Sequence, residues 1–176
     1  MHTVRIELLQ QMPIFGAIRE DALAYLLEPA PSVRVSAGSY FFREGEPAQS
    51  MYVLESGRVS IIKNWGGREL LLRELGPGDC IGEMALLDLF PRSATVRAVL
   101  DCTAIELTPA HMMRLYEKDL EQFALIQMNI AREMSRRLRV TDELLFRARM
   151  GELPSSAANP EFDTVSLRIQ RPPAPA

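Results

Sequence analysis

The chain has 176 residues, 47% of them apolar, with 20 basic and 23 acidic side chains and a formal net charge of −3 at pH 7. This size suits one globular domain with a tail and excludes a second full domain. The net negative charge argues against nucleic-acid binding through a general excess of positive charge. Because no apolar run of about 18 residues and no export leader is present, we expect a cytoplasmic protein without a membrane span.

Two short helices are predicted at the start of the chain. Apolar residues at helical spacing indicate a first helix over residues 3–12, which Pro13 ends. The same spacing indicates a second amphipathic helix over residues 19–27.

From Val33 to Leu107 the pattern changes to short β-branched and aromatic runs separated by Gly and Pro turns, which is typical of an antiparallel barrel. Residues 60–62 and 70–72 flank the turn-forming segment 64–67 and predict a hairpin. We assign no role to Trp65 at its tip, because a lone turn tryptophan usually covers part of its own hairpin.

The reactive side chains are few. Cys80 and Cys102 lie in strand-like apolar surroundings without metal-ligand spacing, so we interpret them as reduced core thiols. His2 and His111 have no partners that indicate a metal or a general base. We therefore expect no metal site and no enzyme activity.

Residues 82–98 combine a carboxylate, a guanidinium and a glycine-opened helical turn. The planar cation of Arg92 suits a phosphate, the turn at Gly82 and Glu83 leaves backbone N–H groups without intrahelical acceptors, and the Glu83 carboxylate can accept from a ribose hydroxyl. Residues 93–98 alternate as a strand, which places Arg92 at a strand edge. An ordinary surface ion pair is the alternative interpretation.

Two further helices are predicted. Thr108 as N-cap and Pro109 as first residue open a helix that ends at Tyr116 or Glu117, and a long helix follows from Leu120. Along this long helix, a set of side chains spaced alternately by four and three positions indicates the seam of a two-stranded coiled coil. The pattern therefore predicts a parallel homodimer. The seam comprises Leu120, Ala124, Gln127, Ala131, Met134, Leu138, Thr141, Leu145 and Ala148.

The seam has an alternative interpretation, since the same stripe could pack on the barrel. An adjoining face, Phe123, Ile126 and Ile130, is expected to pack there. The arginines at 132, 136, 137 and 139 are interspersed with acidic residues, so we interpret them as a solvated flank.

We divide the chain into residues 1–150, the domain, and residues 151–176, a Pro/Ala-rich and mostly disordered tail with room for one short strand at Val165–Ile169. The 28 residues after Ala148 contain no pair of amphipathic helices, so we expect no DNA-reading helix-turn-helix.

Residues 82–98 resemble the phosphate-binding cassette of the cyclic nucleotide-binding domain family, where a GE-x-AL-x run precedes R-[ST/A]-A-[TS]. The resemblance covers about residues 12–149. Residues 136–145 resemble the long helix of the catabolite-activator members, and the glycine turns near residues 38, 45, 57 and 76–78 fall between that family's strands. The family resemblance implies an α+β fold. This fold is an antiparallel, cupin-like β-roll or jelly-roll barrel with N-terminal helices and a long C-terminal helix.

The resemblance also implies a ligand. Gly82 and Glu83 would hold the ribose 2′-hydroxyl, Arg92 the cyclic phosphate, and Ser93 the phosphate through its N–H and hydroxyl. The implied ligand-binding residues are Gly82, Glu83, Met84, Ala85, Arg92, Ser93, Thr141 and Asp142.

The last two residues concern the base. Thr141 would accept from the adenine amino group, although a threonine at the seam is also consistent with setting coiled-coil register. Asp142 stands where the family pattern has serine, and its carboxylate could pair with guanine donors, as a similarly placed acid does in cyclic-nucleotide-gated channels. We favour cAMP, with cGMP as the alternative, and disfavour cyclic di-GMP because the Glu83 and Arg92 pair suits one phosphate and one ribose.

The resulting hypothesis is a non-catalytic sensor. Phosphate would draw the cassette inward, the long helix would follow, and a protein partner would read the change. A DNA-binding regulator without a standard helix-turn-helix is the alternative. A purely structural dimerisation module would not explain why Glu83 and Arg92 occur together.

Overall fold

The computed structural model describes residues 2–88 and 90–150. The predicted tail 151–176, with its short strand at 165–169, lies outside the described residues. The helices of the described part are α1 (His2–Gln10), α2 (Glu20–Leu27), α3 (Pro109–Lys118) and α4 (Leu120–Met150), with two 3₁₀ turns at Pro13–Phe15 and Glu83–Leu86. The strands are β1 (Ser32–Val35), β2 (Tyr40–Phe42), β3 (Met51–Ser56), β4 (Val59–Trp65), β5 (Arg68–Leu75), β6 (Cys80–Ile81), β7 (Thr95–Ala98) and β8 (Cys102–Leu107).

The strands form two antiparallel four-stranded sheets, in the orders β1-β8-β3-β6 and β2-β7-β4-β5. Apolar side chains of both sheets, among them Leu54, Val59 and Ala104, fill the space inside the roll. A second apolar cluster joins the first sheet to the helices. The predicted β-roll with N-terminal helices and a long C-terminal helix is confirmed.

The ends of the predicted helices are close to the observed ones. Pro13 opens the first 3₁₀ turn, and Arg19 is the N-cap of α2. Thr108 caps α3 as predicted: its hydroxyl accepts from the His111 backbone N–H, while Nδ1 of His111 accepts from the Thr108 N–H at 3.2 Å. The histidine that the sequence left without a role is thus half of a capping box.

The β4–β5 hairpin turns at two glycines. Gly66 and Gly67 have φ of 56° and 79°, the left-handed conformation that a tight hairpin turn requires at both central positions. Trp65 is 83% exposed, so the interpretation that it covers the hairpin is wrong.

The first half of α4 packs on the body of the domain. Ile126 and Ile130 are buried and Phe123 packs against the same cluster, which confirms the predicted packing face. The Asn129 side-chain amide donates to the carbonyls of Ile14 at 3.2 Å and Gly16 at 2.9 Å, which fastens the helix to the first 3₁₀ turn. This half of α4 is therefore a fixed base for the half that follows.

The predicted seam is mostly exposed on the single chain, but its Met134 packs against the cluster that joins the first sheet to the helices, as the alternative interpretation expects. Leu120, Leu138 and Leu145 are 59%, 61% and 53% exposed. The homodimer remains a prediction. No helix within residues 2–88 and 90–150 combines the length and the apolar character needed to cross a bilayer.

Candidate functional site

A cavity of about 320 Å³ opens between the second sheet and the loop that follows β6. Phe42 of β2 and Arg73 of β5 line it from the sheet. The other wall comprises Ile81–Met84 and Phe90–Ala94, the two arms of the cassette segment. The cavity therefore brings together the carboxylate and the guanidinium that the sequence singled out.

Gly82 turns the chain from β6 into the 3₁₀ turn. Its φ is 73°, and an ideal Cβ there would lie 2.4 Å from Nη1 of Arg92 and 3.2 Å from the ring of Phe42. Only glycine satisfies both the backbone conformation and the close approach of Arg92. The predicted glycine-opened turn is confirmed.

Glu83 begins that turn and is only 5% exposed. Its carboxylate is ion-paired with Arg137 of α4, whose Nε also donates to Glu133 at 3.0 Å. Burial opposes the charge of Arg137, yet the neighbouring carboxylates, Glu83 first, hold the pKa of Arg137 above its ordinary value. The Arg137 that the sequence assigned to a solvated flank instead reaches the cavity wall, so that interpretation is wrong for this residue.

Arg92 is buried at 7% exposure, with its guanidinium carbon 3.9 Å from the ring centroid of Phe42. Nη1 donates to the carbonyl of Gly82 at 3.3 Å, and Nε has no hydrogen-bond partner among the described residues. Burial lowers the pKa of Arg92. A buried cation with an unused donor is costly unless an anion completes it.

The backbone of Arg92 is held by the turn after β2 rather than by a strand. Its backbone N–H donates to the backbone carbonyl of Glu46 at 2.8 Å, and its backbone carbonyl accepts from the backbone N–H of Gly45 at 2.9 Å. Because β7 begins only at Thr95, the prediction that residues 93–98 form a strand with Arg92 at its edge is corrected: Arg92 and Ser93 lie in the preceding loop.

Ser93 and Met84 face each other across the mouth of the cavity. The Ser93 hydroxyl lies 3.8 Å from Sδ of Met84, and both residues line the cavity. The Ser93 carbonyl accepts from Nζ of Lys63 at 2.7 Å, and that amine also donates to Glu44 at 2.5 Å. The predicted Ala85 lies inside the 3₁₀ turn.

Thr141 and Asp142 are not brought to the cavity. Both are exposed on α4, and neither belongs to the lining that the described residues define. The Thr141 hydroxyl donates instead to the carbonyl of Arg137, one helical turn earlier, at 3.0 Å. Six of the eight predicted site residues thus lie in the cassette, and two lie apart from it on the helix.

Three residues at the site were not predicted from the sequence, namely Arg137, Arg73 and Phe42. Arg137 could have been found because it precedes Thr141 by four positions and shares its helix face. Arg73 could have been found because strand alternation places it beside Leu75, and both line the cavity. Burial lowers the pKa of Arg73, and so does the nearby charge of Arg137. No sequence signal pairs Phe42 with Arg92.

No group of three or more His, Cys, Asp or Glu among residues 2–88 and 90–150 is arranged to hold a metal ion. Cys80 lines the cavity floor as a buried free thiol, and burial raises its pKa. Cys102 is a buried free thiol as well. Both therefore have the core positions that their apolar surroundings predicted.

Comparison with known proteins matches residues 32–119 to the family described as cyclic nucleotide-binding domain. The chain is 29% identical over 153 residues to a CRP-like cAMP-activated global transcriptional regulator of Mycobacterium tuberculosis, covering 86% of this chain and 66% of that protein. It is 36% identical over 131 residues to the cyclic AMP receptor protein of Thermus thermophilus, covering 74% and 59%.

A solved structure shows the same similarity. The crystal structure of Thermus thermophilus catabolite activator protein superposes with a TM-score of 0.70 and 30% identity, covering 78% of this chain and 63% of that one. The chain thus spans less than two thirds of the length of these relatives. One of them is named a transcriptional regulator, which weakens the expectation that nucleic acid is not a partner.

Proposed function

Because this chain belongs to the cyclic nucleotide-binding domain family, we propose that it is a non-catalytic cytoplasmic sensor of a 3′,5′-cyclic purine nucleotide. We favour cAMP, with cGMP as the alternative. Binding changes the position of α4, and a protein partner reads that change.

The observation that carries this proposal is the state of Arg92. Its guanidinium is buried at the cavity wall, and its Nε has no partner among the described residues. A monoanionic phosphate supplies the missing acceptors and charge, and a planar guanidinium binds phosphate oxygens through its edge. Glu83 lines the same wall from the other arm of the cassette segment. One carboxylate beside one guanidinium suits a ligand with one ribose and one phosphate.

Glu83 is the proposed ribose ligand. Its carboxylate accepts hydrogen bonds, and a cyclic nucleotide presents a free 2′-hydroxyl as donor. Gly82, Met84, Ala85 and Ser93 complete the ribose and phosphate contacts of the proposal.

The Glu83–Arg137 ion pair links ligand binding to α4. The ion pair between Glu83 and Arg137 holds the second half of α4 against the cassette. A ribose hydroxyl that donates to the Glu83 carboxylate weakens this ion pair. The ligand thereby favours a different helix position, since it binds the two positions with different affinity.

The base contacts belong to Thr141 and Asp142 in this proposal. Because both are exposed on α4 of the single chain, they reach a bound base only after α4 moves or when a second chain pairs along the seam. A Thr141 contact favours adenine and an Asp142 contact favours guanine.

Isothermal titration of nucleotide-free protein with cAMP, cGMP and cyclic di-GMP tests the proposal. We expect cAMP to bind most tightly and Arg92→Ala to weaken binding by at least about 100-fold, because a charge-assisted hydrogen-bond pair is lost. Arg97→Ala is the matched control, since Arg97 follows on β7 and does not line the cavity. Undiminished affinity in Arg92→Ala would rule out the phosphate assignment.

A DNA-binding regulator is the second candidate, and the names of the relatives favour it. Fluorescence anisotropy with duplex DNA, with and without cAMP, tests it over a range of salt concentrations. Salt-dependent binding that cAMP strengthens would support this candidate over a protein partner.

A further inference from the structure

The ring of Phe42 lies directly beneath the guanidinium of Arg92. The guanidinium carbon is 3.9 Å from the ring centroid, and the two residues are 8% and 7% exposed. A cation over an aromatic face is attracted by the ring quadrupole, and the attraction strengthens where water is excluded. Phe42 is therefore an electrostatic partner of Arg92 as well as a packing contact.

This contact places the central carbon of the guanidinium over the ring face. The five donors of an arginine lie around its edge. One of them, on Nη1, donates to the carbonyl of Gly82, while Nε has no partner among the described residues. The ring thus holds the cation and leaves part of its edge for an anion.

Phe42 is itself fixed by its neighbours. Its ring stacks on Tyr52 with centroids 6.3 Å apart and planes at 25°. Tyr52 belongs to β3, and its hydroxyl donates to the Glu106 carboxylate on the neighbouring strand β8 at 3.3 Å. The contacts of Phe42 therefore continue into the first sheet. The ring also lies close to Gly82, where an ideal Cβ would be 3.2 Å from the ring atom Cε1.

We propose that Phe42 is a positioning residue for the phosphate site, whose ring fixes the guanidinium of Arg92 in the orientation that receives the anion. A long arginine side chain loses rotamer freedom when it is held in one place. With the ring present, this loss occurs on folding rather than on binding, and the ligand binds more tightly. The inference rests on the proposed function, because it requires an anionic ligand at Arg92.

Titration of cAMP into two matched variants tests the inference. Phe42→Leu should lower the affinity about tenfold, because the Arg92 side chain would then lose its rotamer freedom on binding rather than on folding. Phe41→Leu is the control: Phe41 lies on the same strand and contacts Tyr52 edge-on at 5.3 Å, but its ring is not the one beneath Arg92. We expect its affinity to stay within about threefold of the wild type.

Fluorinated phenylalanines at position 42 separate electrostatic positioning from packing. Fluorine withdraws electron density from the ring face and changes its shape little, so each further fluorine should weaken cAMP binding. A residue that only filled space would show no such trend. This series also covers the case in which Phe42→Leu fails to fold.

The outcomes are distinguishable. If the wild type binds cAMP and the fluorinated series binds equally well, Phe42 has no positioning role and the proposed function stands. If the wild type binds neither cAMP nor cGMP, the proposed function fails and the inference fails with it.

Discussion

Glu83 and Arg137 form an ion pair that joins the wall of the cavity to the long helix α4. The two residues are 54 positions apart in the chain, and both are shielded, with side-chain exposures of 7% and 24%. The carboxylate proposed to bind the ribose is thus already engaged by the helix proposed to respond. Ligand and helix compete for one side chain, which is a direct physical route for coupling.

Loss of Arg137 should destabilise the nucleotide-free protein. Arg137→Met leaves the buried carboxylate of Glu83 without its charged partner, which we expect to cost about 1–3 kcal/mol of unfolding free energy. Arg136→Met is the control, because Arg136 pairs with Glu133 at the more exposed side of the same helix and should cost less than about 1 kcal/mol. Urea unfolding measures both, and equal losses would show that the Glu83 contact has no special weight.

Gly82→Ala should abolish nucleotide binding. The added Cβ would lie 2.4 Å from Nη1 of Arg92, so the guanidinium must leave its place over Phe42. Gly38→Ala is the matched control, because Gly38 has a similar φ of 83° and an ideal Cβ there has nothing within 4 Å. Each variant should lose about 1–2 kcal/mol from backbone strain, but only Gly82→Ala should lose affinity in a cAMP titration. Wild-type affinity in Gly82→Ala would contradict the observed position of Arg92.

The α3 capping box should make stability depend on pH. Burial lowers the pKa of His111, and the charge of Arg114 lowers it further, while Glu106 opposes the shift. A histidine with a depressed folded-state pKa stabilises the fold above its unfolded pKa of about 6.5, and this contribution is lost as the pH falls through the folded-state value. Protonation also removes the Nδ1 acceptor for the Thr108 N–H.

His111→Gln isolates this contribution, since glutamine at the same position can still accept from the N-cap. Thermal unfolding from about pH 7.5 to about pH 5 should show a wild-type melting temperature that falls more steeply than that of the variant. Parallel curves would mean that protonation of His111 is not coupled to folding.

The exposed seam of α4 predicts a dimer that one charge can break. Leu138→Lys places a cation at a seam position that is 61% exposed in the single chain, where a partner helix would bury it. Met128→Lys is the control, since Met128 is similarly exposed at 51% but lies off the seam. Sedimentation velocity should show a monomer only for Leu138→Lys, and a wild-type monomer at all concentrations would refute the dimer.

Local signals made the fold predictable. The N-cap at Thr108, the paired glycines at 66 and 67, and the apolar periodicity of α4 each act within a few residues, and each element lies where those signals place it. The predicted strand 93–98 starts two residues before the observed β7, because the alternating pattern includes Ser93 and Ala94 of the preceding loop. That loop is held by long-range backbone hydrogen bonds to Gly45 and Glu46, which no local pattern reports.

The site was predictable only where its residues share one segment. Gly82, Glu83 and Arg92 lie within eleven consecutive positions of one motif, so spacing alone suggested them. Phe42 and Arg137 come from distant elements and meet the motif only through tertiary packing. The alternation of basic and acidic residues along α4 predicted a solvated flank. This pattern does not indicate which of the arginines faces the cavity.

The central claim is that Glu83 and Arg92 hold the sugar and the phosphate of the same nucleotide. Calorimetric titration of wild type and Glu83→Gln with cAMP and with 2′-deoxy-cAMP tests it most directly. We predict that the wild type prefers cAMP by about 10-fold or more, as expected for a hydrogen bond to a charged acceptor, and that Glu83→Gln loses most of this preference. Equal affinity of the wild type for the two nucleotides would contradict the claim.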